Sequence, residues 1–399
     1  MTDLLCPELL VVDGRTYRAL YSPGRLSQQH QKHARSAEEL GEEEEEWGAS
    51  GTGGNGGWQE EAEEEPSVDL EQEGDGFVAR LGLDSEVYPY LIGQGGRTRK
   101  RIEDDTGARI TFPSRAQQQG GGAGGGPVVV RGASRAAVAR ACTQLELLVS
   151  QQLSARGPRA LDYNFFLCLP LATPSITAGF EAFREQVLAD AGAAAAGLEP
   201  SLFIDPRHLH LTIAMLKLYS EERRELARRT LHSLALRLGG LLAGAPLEVQ
   251  LKGLQYMNDE PSEMHVMYLG VEDAPSSPGG LERLQQLCAA VVEAFGRAGL
   301  LLQQDERAVK LHATAINSRY RKRGNTGGGG GRQEGSAAAG AQQREPRQPF
   351  DGRSLLQRHS GLDLGTVHLP AVHLSQRGRY DPKTGFYWCA DSLPLHDSA

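Results

Sequence analysis

Two apolar runs in this chain carry the same polar pair. "RHLHLTIAML" begins at Arg207 and "VKLHATAINS" at Val309, and each holds a histidine, one spacer and a threonine. Alternation along an extended strand puts His210 and Thr212 on one face, with Leu211 and Ile213 on the other. His312 and Thr314 are separated in the same way from Ala313 and Ala315. Each strand then needs a helix over its apolar face, and a strand pattern met twice suggests a duplicated α/β unit. If an internal pseudo-twofold relates the two strands, both imidazoles and both hydroxyls face one cleft.

The surrounding residues supply the helices. Between about Leu161 and Pro394, strand patterns ("YNFFLCLPL", "LHLTIAMLKL", "PLEVQLKGLQYM", "EMHVMYLGV", "AVKLHATAIN") alternate with helical ones ("ITAGFEAFREQVLADAG", "SEERRELARRTLHSLALRLGGLL", "LERLQQLCAAVVEAFGRAGL"). The helix "GRSLLQRH" and the strands "TVHLPAVHLSQ" and "GFYWCADSL" close a domain placed at residues 161–395. A Gly/Ala/Gln-rich stretch at 324–348 reads as a disordered insertion.

Paired imidazoles suit phosphodiester chemistry. One takes a proton from the attacking oxygen and the other, protonated, gives one to the leaving oxygen, because imidazole titrates near neutrality. The threonine hydroxyls can hold non-bridging oxygens. No metal ligand set and no cofactor motif is apparent. The two motifs resemble the paired H-φ-[ST]-φ signature of the 2H phosphoesterase superfamily: "HLTI" fits all four places, and "HATA" fits with alanine as the apolar residue. The resemblance implies a bilobal, metal-independent phosphodiesterase domain with His210, Thr212, His312 and Thr314 as catalytic residues. Three neighbours are weighed beside them. His208 shares the His210 face by period two but lacks a threonine partner, and reads as a strand end or cleft mouth. His373 begins a third H-x-S with Ser375 and reads as sheet face or rim. Tyr256 and Tyr268 are candidates to stack on a base, though strand aromatics are more often core.

A second compact stretch spans residues 76–152. Strand "FVARLGL" precedes "YPYLIGQGGRTRKRIEDDTG", a helix, a Gly loop and a basic helix; "ARITFPS", a Gly-rich loop, "VVVRG" and a long helix with Ser134 as its cap follow. In Gly93-Gln94-Gly95-Gly96, missing Cβ atoms let backbone approach a sugar-phosphate chain, and the next helix turns its free N–H groups toward anions. Arg97 and Lys100 add charge, so residues 93–97 and Lys100 are the candidate nucleic-acid contacts. The order resembles a type I KH domain, which implies a single-stranded nucleic-acid module. Arg99 stands where the family pattern has an apolar residue.

Charge divides along the chain. Residues 37–75 hold 16 acidic side chains and no Lys or Arg, more than the formal net charge of −9, so the remainder is basic. That stretch reads as a disordered acidic linker behind an N-terminal interaction segment, residues 1–36. Five scattered cysteines suggest neither a zinc site nor a disulfide framework, no apolar run reaches membrane-spanning length, and a soluble, intracellular protein is expected. "PELLVVDGRTYR", "PLEVQLKGLQYMNDEP", "FDGRSLL" and "VHLSQR" are similar to subunits that pair KH and 2H domains in transcription-coactivator complexes. That resemblance implies a nuclear location, a helicase subunit among the partners, a role in the alkylation response, and single-stranded RNA, with DNA left open, as ligand. A non-catalytic RNA-binding scaffold is the competing reading.

Overall fold

The computed structural model describes residues 9–12, 15–18, 69–114, 126–157, 160–257, 260–302, 305, 309–321 and 347–395. Most of the N-terminal segment, the acidic stretch to residue 68, the loop at 115–125 and the insertion at 322–346 lie outside them. In the N-terminal segment, β1 (Leu9–Val12) and β2 (Arg15–Arg18) pair antiparallel, Val12 with Arg15.

Within residues 69–157 a four-stranded antiparallel sheet has the order β3 (Leu70–Glu73), β4 (Gly76–Leu81), β6 (Val128–Gly132), β5 (Arg109–Thr111). Helices α1 (Tyr88–Ile92), α2 (Arg97–Thr106) and α3 (Arg135–Ser154) cover one face. Val130, Leu81, Leu91, Ile102, Val138 and Leu145 form their shared core. Ser134 caps α3 as expected, its Oγ accepting from the Ala137 N–H at 3.2 Å. One expectation is corrected. Residues 70–73 fall inside the stretch read as acidic linker, yet they form edge strand β3 on β4, and Glu71 and Glu73 pair with Arg80 of β4 and Arg131 of β6.

From residue 160 onward, eight antiparallel strands make one sheet. Their order is β12 (Asp363–His368), β9 (Glu248–Tyr256), β10 (Val266–Asp273), β11 (Ala313–Asn317), β8 (His210–Leu216), β7 (Phe165–Pro170), β13 (Ala371–Tyr380), β14 (Tyr387–Pro394). The sheet divides into two groups of four, and the two H-x-T segments are the adjacent central strands. Each central strand follows its neighbour through a helix: β7–α4 (Pro174–Leu188)–β8 in one lobe and β10–α7 (Gly280–Arg297)–β11 in the other. This is the duplicated, bilobal α/β unit expected from the sequence. Phe180 and Phe183 of α4, and Leu284, Leu287, Val291 and Phe295 of α7, are buried with Leu167, Leu211, Leu269 and Ala313 of the strands. Burying each large apolar side chain contributes about 2 kcal/mol.

Two details depart from the expected elements. The long helix after β8 breaks at Leu234 into α5 (Glu221–Ser233) and α6 (Ala235–Leu242). "TVHLPAVHLSQ" breaks at Pro370, and its halves serve opposite lobes: β12 pairs with β9, while β13 pairs with β7. Proline has no N–H for the ladder and ends a strand.

The KH-like unit and the eight-stranded unit meet along the residues just after β4 and just before α5. Asp84 N–H donates to the Tyr219 carbonyl at 3.0 Å, and Glu221 N–H donates to the Gly82 carbonyl at 2.8 Å. Gly82 fits closely there, since a Cβ would lie 3.1 Å from that of Glu221. Arg224 Nη1 donates to both Asp84 carboxylate oxygens at 2.9 and 2.8 Å, and the pair is buried. Burial pushes the Asp84 carboxyl up, and the guanidinium opposes it.

Candidate active site and nucleic-acid interface

In the centre of the large sheet, Leu211 pairs with Ala313. One step to either side in that antiparallel register sets His210 opposite Thr314 and Thr212 opposite His312. Leu211, Ile213, Ala313 and Ala315 are buried, whereas His210, Thr212, His312 and Thr314 are partly exposed. The four residues named from the sequence are thus brought together on one face at the seam between the lobes. His312 lies one residue ahead of β11 and keeps the same orientation.

The two imidazoles are held alike. His210 Nδ1 donates to the His208 carbonyl and His312 Nδ1 donates to the Lys310 carbonyl, both at 2.6 Å. A carbonyl can only accept, so Nδ1 carries the proton and the neutral ring keeps a bare Nε2. Their surroundings differ. His210 packs against Phe166 at 5.1 Å and Tyr387 at 5.5 Å between ring centroids. His312 meets Tyr268 edge-on at 5.4 Å, and Lys310 Nζ stands 5.0 Å from the Tyr268 ring centroid. Burial drives the His210 imidazole down to about 4, against the His208 carbonyl bond; a charge on His312 lowers it further. His312 is also held below the ordinary imidazole range by burial, while its Lys310 carbonyl bond opposes that shift.

His208 lies in a 3-10 turn, Pro206–His208, rather than in the strand. Its Nε2–H donates to the Gly385 carbonyl at 2.8 Å, and its ring stacks on Tyr380 with centroids 4.5 Å apart. His373 pairs with Cys168, which pairs with Thr212, so it shares the site face two strands away from Thr212. Its Nδ1 is buried with no hydrogen-bond partner among the described residues. The tyrosine pair divides: Tyr268 stands beside His312, and Tyr256 packs against the main core. Phe166, Lys310, Tyr380, Phe386 and Tyr387 escaped the sequence reading. Phe166 had a signal, since period two through "YNFFLC" puts it on the face opposite Leu167; the hairpin aromatics had none.

In the other unit, Gly93, Gly95 and Gly96 adopt φ of 72°, 63° and 78°. A Cβ on Gly93 would lie 2.2 Å from Thr98 Oγ1, whereas Gly95 and Gly96 face open space. Gln94 is exposed, and Arg97 folds back on it, Nη2 donating to Gln94 Oε1 at 2.9 Å. Lys100 is exposed and lines, with Gly95, Gly96, Arg99, Arg109 and Arg131, a groove of about 1010 Å³ that also carries carboxylates. Arg99, at the place expected to be apolar, ion-pairs with Glu103 at 3.8 Å.

This fold and constellation define a KH module joined to a two-histidine phosphoesterase-like domain. Residues 163–395 match the AKAP7 2'5' RNA ligase-like domain family, to which the chain belongs, and residues 78–147 match the KH domain family. The chain is 29% identical to mouse (Mus musculus) activating signal cointegrator 1 complex subunit 1 over 97% of its own length and 98% of that protein. Among solved structures it is similar to TT0787 of Thermus thermophilus, with 20% identity, 59% of this chain, 100% of that chain and TM-score 0.35. E. coli LigT complexed with NADP+ gives 16% identity over 59% of this chain and 98% of that chain, with TM-score 0.32.

Proposed function

We propose that the chain is a metal-independent phosphodiesterase whose KH module captures single-stranded RNA and whose two-histidine cleft cleaves a phosphodiester or opens a cyclic phosphate. The observation that carries this reading is the matched pair of imidazoles on adjacent strands, each leashed through Nδ1 so that Nε2 is left bare. His210, the more desolvated ring, stays neutral and serves as base: its Nε2 takes the proton of the attacking oxygen, a 2′-hydroxyl or water. Attack on phosphorus expels the leaving oxygen, which receives a proton from His312. The bound diester's negative charge favours the protonated form of His312, reversing the depression that burial imposes. The hydroxyls of Thr212 and Thr314 donate to the non-bridging oxygens as charge builds there.

Similarity to mouse activating signal cointegrator 1 complex subunit 1 supports a further reading, a subunit of such a complex. With that reading we also propose a nuclear location and a helicase partner, contacted through residues 1–36. Incubation of labelled RNA oligonucleotides with the full chain tests the enzymatic reading. His210→Ala and His312→Ala are each expected to slow cleavage by about 10²- to 10⁴-fold. Equal rates in wild type and both variants would remove it. Intact RNA with weakened binding in the variants would favour the scaffold.

A further inference from the structure

Beside His210 the site face continues into aromatic rings that the proposed proton transfers do not use. Tyr380 and Tyr387 pair across the β13–β14 hairpin, with ring centroids 5.3 Å apart. Tyr387 touches His210, Phe166, Phe386 and His208, and anchors the group. Tyr380 lies nearly parallel to His208, at 11°, and remains 46% exposed. The His208 ring cannot turn freely, because its Nε2–H is bonded to Gly385. Tyr320, 40% exposed, follows β11, and its phenol interacts electrostatically with those of Tyr380 and Tyr387 and with Arg377. Arg377 is exposed and anchored, Nη1 donating to the Tyr163 carbonyl at 3.1 Å.

Exposed rings usually cost solubility unless something covers them. A set of preordered rings with an arginine at its side, adjoining a proposed phosphate-handling residue, fits one kind of partner: an unpaired base with its neighbouring phosphate. Bases stack on such platforms whatever their identity, and the guanidinium follows the backbone. A folded-protein partner would need a larger continuous apolar patch, and duplex nucleic acid keeps its base faces hidden.

We propose that Tyr380, backed by His208 and paired with Tyr387, is a stacking shelf for an unpaired base next to the phosphate in the cleft. This deepens the phosphodiesterase reading and rests on it for the phosphate's position. It selects single-stranded oligonucleotide over duplex, independently of the KH groove.

Fluorescence anisotropy on the full chain tests the shelf. The background carries Gly95→Asp to silence the KH loop and His312→Ala, in the opposite lobe, to prevent cleavage. The probes are a fluorescein-labelled oligouridylate dodecamer and the same strand without bases. Adding Tyr380→Ala is expected to weaken dodecamer binding about tenfold. Tyr380→Phe should retain affinity, and the baseless strand should not respond to Tyr380→Ala. Unchanged dodecamer affinity in the alanine variant, or an equal loss for the baseless strand, overturns the shelf. Cleavage of the dodecamer by the wild-type chain is scored separately. Its absence would remove the phosphodiesterase reading while the binding comparison still decides the shelf.

Discussion

His210 illustrates how surroundings set the charge of one side chain. Its imidazole is held near 4 by burial, against an ordinary value of 6.5, so the unfolded chain takes up this proton first as pH falls. Stability is therefore present above pH 6.5, is lost as pH drops toward 4, and changes little from this group below that. The full contribution is roughly 3 kcal/mol. Urea midpoints at pH 7 and pH 5 should fall further for wild type than for His210→Gln; equal shifts would contradict the environment described. The glycines of the loop yield a second contrast. Gly93→Ala meets Thr98 and should cost about 2 kcal/mol. Gly95→Asp points into open space but must adopt a φ of 63°, so it should cost about 1 kcal/mol, less than Gly93→Ala, while the fold persists and RNA binding is lost. The H-x-T residues were legible because alternation is a property of neighbours in the chain. The rings around His210 were not: His208 meets Gly385 across 177 residues, and no local pattern encodes that meeting.

At the scale of elements, the junction through α5 is the place where one substitution affects two domains. Arg224 has 6% side-chain exposure and contacts Asp84 across the interface. Arg224→Ala leaves a buried carboxylate without its cation and should cost about 3 to 5 kcal/mol, whereas Asp84→Asn with Arg224→Met together should recover part of that loss. Chemical denaturation of the single and double variants checks the ordering. Nothing in the linear pattern flagged this pair, because "SEERRELARR" reads equally well as a solvated face. Strands and helices themselves were largely legible from period and capping. The edge strand at 70–73 was missed because its carboxylates acquire partners only once the sheet has formed, and Pro370 hid a change of partner rather than a simple turn.

For the whole molecule, the backbone bonds and ion pair between the domains predict joint unfolding of residues 69–395. Calorimetry should give one cooperative transition for wild type and two for Arg224→Ala; two in the wild type would show that the junction is too weak to couple them. The order of strands carries one more consequence, for synthesis. β7 and β8 are made early, yet their lobe is completed by β13 and β14, which close on β7 only after the second lobe has been translated. The nascent chain therefore exposes the β7 edge throughout translation of the second lobe, and a holding chaperone at that edge would shield it from pairing with another chain.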